Sequence, residues 1–135
     1  MKKMFAALCL AVAGNAFAQE LSVDWVWLKS HYCDNTSPEF TIGNVPAGTK
    51  TLQFKMNDLD FQNKDHGGGS VEFSGTEGKM VVPAGALKQY EGPCPRAHYN
   101  SWGHDYQINV KALGADGTEL AQGGKKQNFS AKTAK

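Results

Sequence analysis

Two short clusters hold most of the residues whose types could do chemistry. The first is "MNDLDFQNKDHGGGS", Met56 to Ser70, with Asp58 and Asp60 two apart, His66 close behind and three glycines in a row. On an extended chain, residues two apart point the same way, so this spacing places the two carboxylates on one face at a strand end or in the following loop. Paired carboxylates, an imidazole and a permissive backbone are the parts of a small polar site for a metal, a phosphate or a proton transfer. Taken by itself, the stretch is better explained as a hydrophilic loop of turn-forming Asp, Asn and Gly. The second cluster is "YEGPCPRAHYNSWGHDY", Tyr90 to Tyr106. Pro93 and Pro95 fix two backbone angles around Cys94. His104 and Tyr106 share a face at the start of a strand, with Asp105 on the other face. Each has a plain structural reading too, Tyr106 as the first core residue of its strand and His104 as a strand-edge histidine.

The elements that must position these residues are strands. Apolar residues alternate at Leu21, Val23, Trp25 and Trp27, at Leu52, Phe54 and Met56, and at Tyr106, Ile108 and Val110, with shorter versions at Phe40 and Ile42 and at Val71 and Phe73. Met80 to Val82 is a brief apolar run closed by Pro83. Turn chemistry separates them: Pro46-Ala47-Gly48, Gly75 to Gly78, and Asp116-Gly117, which suits a hairpin returning through Thr118 to Ala121. Fifteen glycines and no long 3.6-residue period argue against a helical protein, "PAGALKQY" being the best candidate for a helical turn. The fold class expected is all-β, an antiparallel β-sandwich. Gly123 to Lys135 reads as either a frayed end or a short final strand.

The first eighteen residues read as an export signal, with Lys2 and Lys3, an apolar run from Met4 to Ala13 and the small-residue site Ala16-Phe17-Ala18. Cleavage between Ala18 and Gln19 would leave one domain, 19–135, in the periplasm or secreted. No later segment is long and apolar enough to span a bilayer as a helix. Losing Lys2 and Lys3 takes the formal charge from +1 to one net negative charge, so no basic stripe points to nucleic acid. Cys9 leaves with the signal, and Cys33 and Cys94 remain as the one possible pair, expected to be bonded in an oxidising compartment.

The order of these motifs resembles the phosphatidylethanolamine-binding protein family, also known as Raf kinase inhibitor proteins, and most closely its bacterial branch. In that family an acidic motif ends one strand, a histidine follows on the next, and a Gly-Pro-Cys-Pro loop leads to a His-x-Tyr strand. Here these are Asp58 and Asp60, His66, the loop from Gly92 to Pro95, and His104 with Tyr106; "VPAGTK", Val45 to Lys50, fits the preceding turn. The likeness covers about Thr36 to Leu113. It departs at Leu59, which replaces the proline of the acidic motif, at Phe61-Gln62, at Gly67, and in the short stretch between His66 and Tyr90. The resemblance implies a β-sandwich with a small anion pocket for phosphate-bearing head groups, formed by Asp58, Asp60, His66, Gly92, Pro93, His104 and Tyr106.

Three function classes follow. The leading one is a non-enzymatic, exported binding protein for a small phosphorylated or anionic ligand, needing no cofactor or metal. The second is a protein-interaction module or an inhibitor acting on an envelope protein. The third is metal-assisted hydrolysis using His66, His98, His104 and the Asp58/Asp60 pair; no H-E-x-x-H or G-x-S-x-G arrangement supports it.

Overall fold

The computed structural model describes residues 19–135; the expected export signal and Cys9 lie outside them. Each alternating segment becomes a strand with one wet and one dry face. The first three are β1 (Ser22–Trp25), β2 (Phe40–Gly43) and β3 (Thr51–Asp58), followed by β4 (Lys64–Glu72) and β5 (Met80–Val82). The last three are β6 (Gln89–Tyr90), β7 (His104–Leu113) and β8 (Glu119–Phe129). They form a three-stranded sheet in the order β1-β2-β5 and a five-stranded sheet in the order β6-β4-β3-β7-β8. All strand pairings within the two sheets are antiparallel.

The core lies between the sheets. Trp25, Phe40, Ile42 and Val82 from the smaller sheet meet Leu52, Phe54, Met56, Ile108 and Val110 from the larger, all buried. Phe40 and Phe54 join the layers with ring centroids 5.0 Å apart, within the range of favourable aromatic pairs. Trp27 lies past the end of β1 and is still buried, edge-on to Phe129 at 5.2 Å.

Four local points differ from, add to or decide between what the sequence led us to expect. The stretch Lys64 to Ser70 is strand, not loop, and runs straight through the three glycines. Its register against β3 steps from Lys55↔Gly68 to Asn57↔Asp65, so two steps on β3 face three on β4, a β-bulge opposite Met56. Bulges re-aim side chains, and here His66 is buried while Asp65 stays exposed. Gly67 sits at the bulge with φ of 69°, and a Cβ there would collide with the Gln89 carbonyl oxygen. Gly67→Ala should therefore destabilise the domain by about 2 kcal/mol or more, from left-handed strain plus overpacking, read as a lower urea midpoint; an unchanged midpoint would mean β6 can move away freely.

The second difference is at "PAGALKQY", where Ala86 N–H donates to the Pro83 carbonyl (3.1 Å) in a single turn that leads into β6. No helix forms there, because three residues later the chain must pair with β4. Third, a 3-10 turn at Lys29–His31 had no sequence signal. Fourth, of the two alternatives for the tail, strand β8 continues to Phe129, and beyond it Lys135 N–H donates to the Trp27 carbonyl (2.9 Å). Ala134 is buried, so this end is docked, not frayed.

In the 3-10 turn, buried His31 accepts the Leu28 N–H at Nδ1 (2.9 Å). That contact requires an unprotonated Nδ1, and burial lowers the His31 pKa against a weaker opposing pull from Asp34. The folded state thus favours the neutral ring. Its contribution to stability is complete above the ordinary imidazole value of about 6.5 and is lost as pH falls below it towards the lowered folded value. The stability gap between the native protein and His31→Gln should narrow on acidification over that window; a gap that is constant with pH would contradict this.

Candidate functional site

The inward face of β7 carries His104, Tyr106, Ile108, Val110 and Ala112, as the period of two requires. Across the ladder, Asp58 at the end of β3 is paired with Tyr106. Asp58 is 4% exposed and His104 7%, and the His104 Nδ1–H donates to Asp58 Oδ2 at 2.7 Å. The other carboxylate oxygen, Oδ1, accepts the Asp60 N–H at 3.0 Å, which closes the turn after β3. The second nitrogen of His104, Nε2, lies 2.9 Å from His98 Nδ1. Asp58, His104 and His98 thus form a hydrogen-bonded line from the interior outward. Only one proton fits between the two rings. His98 is stacked on Trp102 at 4.3 Å, and Trp102 is 66% exposed.

His66 approaches from β4. Its Nδ1 is 3.0 Å from the Glu91 carbonyl oxygen, and a carbonyl can only accept, so Nδ1 carries a proton; of the two neutral tautomers, only the one with its lone pair at Nε2 fits. The ring stands perpendicular to Tyr106 at 5.5 Å. Tyr106 is fully buried, and its hydroxyl has no hydrogen-bond partner. Burial first, then the nearby Asp58 charge, push its ionisation far up, so it is a neutral phenol. The Asp58 carboxylate and the Cys94 backbone are near enough to act on this hydroxyl electrostatically, yet neither meets it in hydrogen-bonding geometry. Tyr90, on β6, repeats the pattern: a buried hydroxyl without a partner, its ionisation raised by burial and then by the charge of Asp34.

The remaining wall is the Gly-Pro-Cys-Pro segment. Cys94 is bonded to Cys33, with Cα atoms 4.4 Å apart. Beside the bridge, Cys33 N–H donates to the Pro93 carbonyl (2.8 Å) and Gly92 N–H to Asn35 Oδ1 (3.2 Å). A Cβ at Gly92 would run into the Asp34 carbonyl oxygen, which explains why glycine stands there. Tyr32 and Tyr99 stack at 4.0 Å between the same two loops. Glu91 N–H donates to the His66 carbonyl (2.8 Å), so this wall and β4 are one unit.

Of the residues singled out in the sequence, Asp58, His66, His104 and Tyr106 come together, with Gly92 and Pro93 buried beside them. Asp60 does not join them. The chain turns at Leu59, which ends the period-two geometry, and the exposed Asp60 carboxylate instead accepts the Asp105 N–H at 2.7 Å. Its role is to tie the β3 turn to the start of β7. Tyr90 was not singled out, because a lone tyrosine between Gln89 and Glu91 gives no local sign of a buried hydroxyl. His98 was weighed only as a metal ligand. Among the described residues no three His, Cys, Asp or Glu side chains gather as a metal-binding group, and His104 already uses both its nitrogens. An open groove, about 860 Å³, lies elsewhere, on the outer face of the five-stranded sheet over Gln53, Lys55, Asn109 and Lys111.

By sequence, no family model and no curated protein matches the chain. By structure, it is similar to the crystal structure of Escherichia coli YbcL, described as a new member of the mammalian PEBP (phosphatidylethanolamine-binding protein) family. The TM-score is 0.57 at 15% identity, and the match covers 84% of this chain and 99% of the other. The chain has the phosphatidylethanolamine-binding protein fold. That agrees with the likeness read from its motifs. Within this fold, the motif residues fall where two strand ends and the disulfide-held loop converge.

Proposed function

We propose that this protein binds a small ligand through an anionic head group of the phosphate type, at the cluster of Asp58, His66, His104 and Tyr106, and that it does so after export. The observation that carries this is the Tyr106 hydroxyl, buried and unpartnered beside a fixed imidazole and an Asp–His pair. A buried donor without a partner costs about 1–3 kcal/mol, and such groups in folded proteins call for an explanation in function or bound water. A ligand oxygen accepting from Tyr106 supplies one. The bridge between Cys33 and Cys94 supports an oxidising compartment. An NMR titration of amide shifts with phosphoethanolamine tests the site. Glu91, Gly92, Cys94, His104 and Tyr106 should move together, whereas shifts confined to the outer-face groove at Lys55 and Lys111 would place the ligand elsewhere.

A second use, docking to an envelope protein, is favoured by one surface feature. Leu59 and Trp102, both exposed, lie around Asp105: Leu59 N–H donates to its carbonyl (2.9 Å), and Asn128 links its carboxylate (2.9 Å) to the Trp102 carbonyl (2.8 Å). Exposed large apolar side chains grouped at one end of a domain are a common mark of a contact surface. Pull-down from periplasm with Leu59→Ser against the native protein tests this use, since the exposed Leu59 side chain makes none of the hydrogen bonds of the cluster.

A further inference from the structure

We infer that the cluster selects an oxyanion that still carries a proton, phosphate or the monoanion of a phosphate monoester over sulfate, and that Tyr90 is one of the groups that holds it. This rests on the anion-site reading above and concerns which anion is accepted. The polar groups around the site divide into two kinds. Tyr106 and Tyr90 are neutral phenols with a hydrogen each to donate and no protein partner for it. Tyr90 is paired with Gly67, one residue from His66, and the following residue, Glu91, exchanges hydrogen bonds with His66 through both its N–H and its carbonyl. That register places the Tyr90 strand directly against the His66 wall.

The other two groups accept. Asp58 has each carboxylate oxygen engaged once, by His104 and by Asp60 N–H, and retains lone pairs. His66 holds a proton at Nδ1 against Glu91, and in the neutral form of the ring Nε2 is then the lone pair. The outer nitrogen of His104, which would otherwise be the natural cationic donor, is bonded to His98. An anion entering here meets two donors and two acceptors. Sulfate offers acceptors only, so at least one of its oxygens would face a buried lone pair with no hydrogen between them. Such a contact is costly in a dry site. A protonated phosphate turns its O–H to Asp58 or His66 and its bare oxygens to the phenols, and every group is satisfied. Sites built around a ligand hydrogen reject analogues lacking it far more strongly than shape alone can achieve.

Calorimetric titration of the protein from Gln19 onward, with sodium phosphate and with sodium sulfate at neutral pH and equal ionic strength, tests this. Phosphate should bind at least about a hundredfold more tightly than sulfate. Tyr90→Phe, which removes one hydroxyl and keeps the ring in the core, should weaken phosphate binding about tenfold and leave the preference for phosphate in place. Equal affinity for the two anions would overturn the inference and leave an anion site standing; unchanged phosphate affinity in Tyr90→Phe would remove Tyr90 from it. Binding of neither anion would remove the anion-site reading and the selectivity with it. Asp58→Asn, if it folds, should narrow the ratio by offering sulfate an amide hydrogen. A ratio untouched by that change would also count against the proposal.

Discussion

Replacing Cys33 and Cys94 together by serine should cost the domain about 4 kcal/mol, the chain-entropy value for a bridge spanning 61 positions. That is a large part of the 5–15 kcal/mol or so by which domains are usually stable. The bridge also holds Pro93 and Gly92 against the Cys33–Asn35 loop, where two hydrogen bonds depend on the same approach. The double variant should therefore lose ligand-induced stabilisation as well as intrinsic stability. Urea unfolding of the oxidised protein and the serine variant measures the first, and the same experiment with phosphate present measures the second. A loss under about 1 kcal/mol would mean that the loops stay together without the bond and that chain entropy is the wrong account of it.

Asp58→Ala should be nearly as damaging, at about 3–5 kcal/mol, because removing one partner of a buried pair leaves the other uncompensated. Here the stranded group is His104, with its Nδ1–H pointing into the interior. The turn loses its anchor as well, since Asp58 Oδ1 accepts the Asp60 N–H. Asp58→Asn keeps an oxygen that can accept from His104 and should cost markedly less. If the two variants proved equally destabilising, the damage would come from charge alone and not from the hydrogen bonds. If alanine were harmless, the Asp58–His104 contact would have no structural weight.

Much of this arrangement follows from period two. His104 and Tyr106 share an inward face for the same reason that Ile108 and Val110 do, and Asp58 joins them because Leu52, Phe54 and Met56 fix the face of β3. The cysteine pair followed from arithmetic once Cys9 was set apart. Asp60 was misplaced because the alternation that makes Asp58 inward stops at Leu59, where the chain turns. The glycine run concealed β4: glycine is a poor strand former in the open, and only the close pass of Gln89 and the bulge at Gly67 make it the residue required. Strand β8 was hidden for a different reason. Its outward face is Lys, Gln and Gly, and among its eleven residues only Ala121 and Phe129 are buried, eight apart, too sparse for a periodic signal. The contact of His98 with His104 and the orphan hydroxyl of Tyr90 are products of tertiary structure, and no local spacing encodes either.

A phosphate-type group is expected to be held at Tyr106 beside Asp58, His66 and His104. The most direct test is the melting temperature of the oxidised protein from Gln19 onward, with and without phosphate and phosphoethanolamine, compared with Tyr106→Phe. A ligand at about a hundredfold excess over its dissociation constant adds about 2.7 kcal/mol to the folded state. The native protein should therefore melt several degrees higher with ligand, and Tyr106→Phe, folded and with its ring still in the core, should lose most of that rise. An equal rise in both proteins would move the site away from Tyr106, and no rise in either would contradict the account.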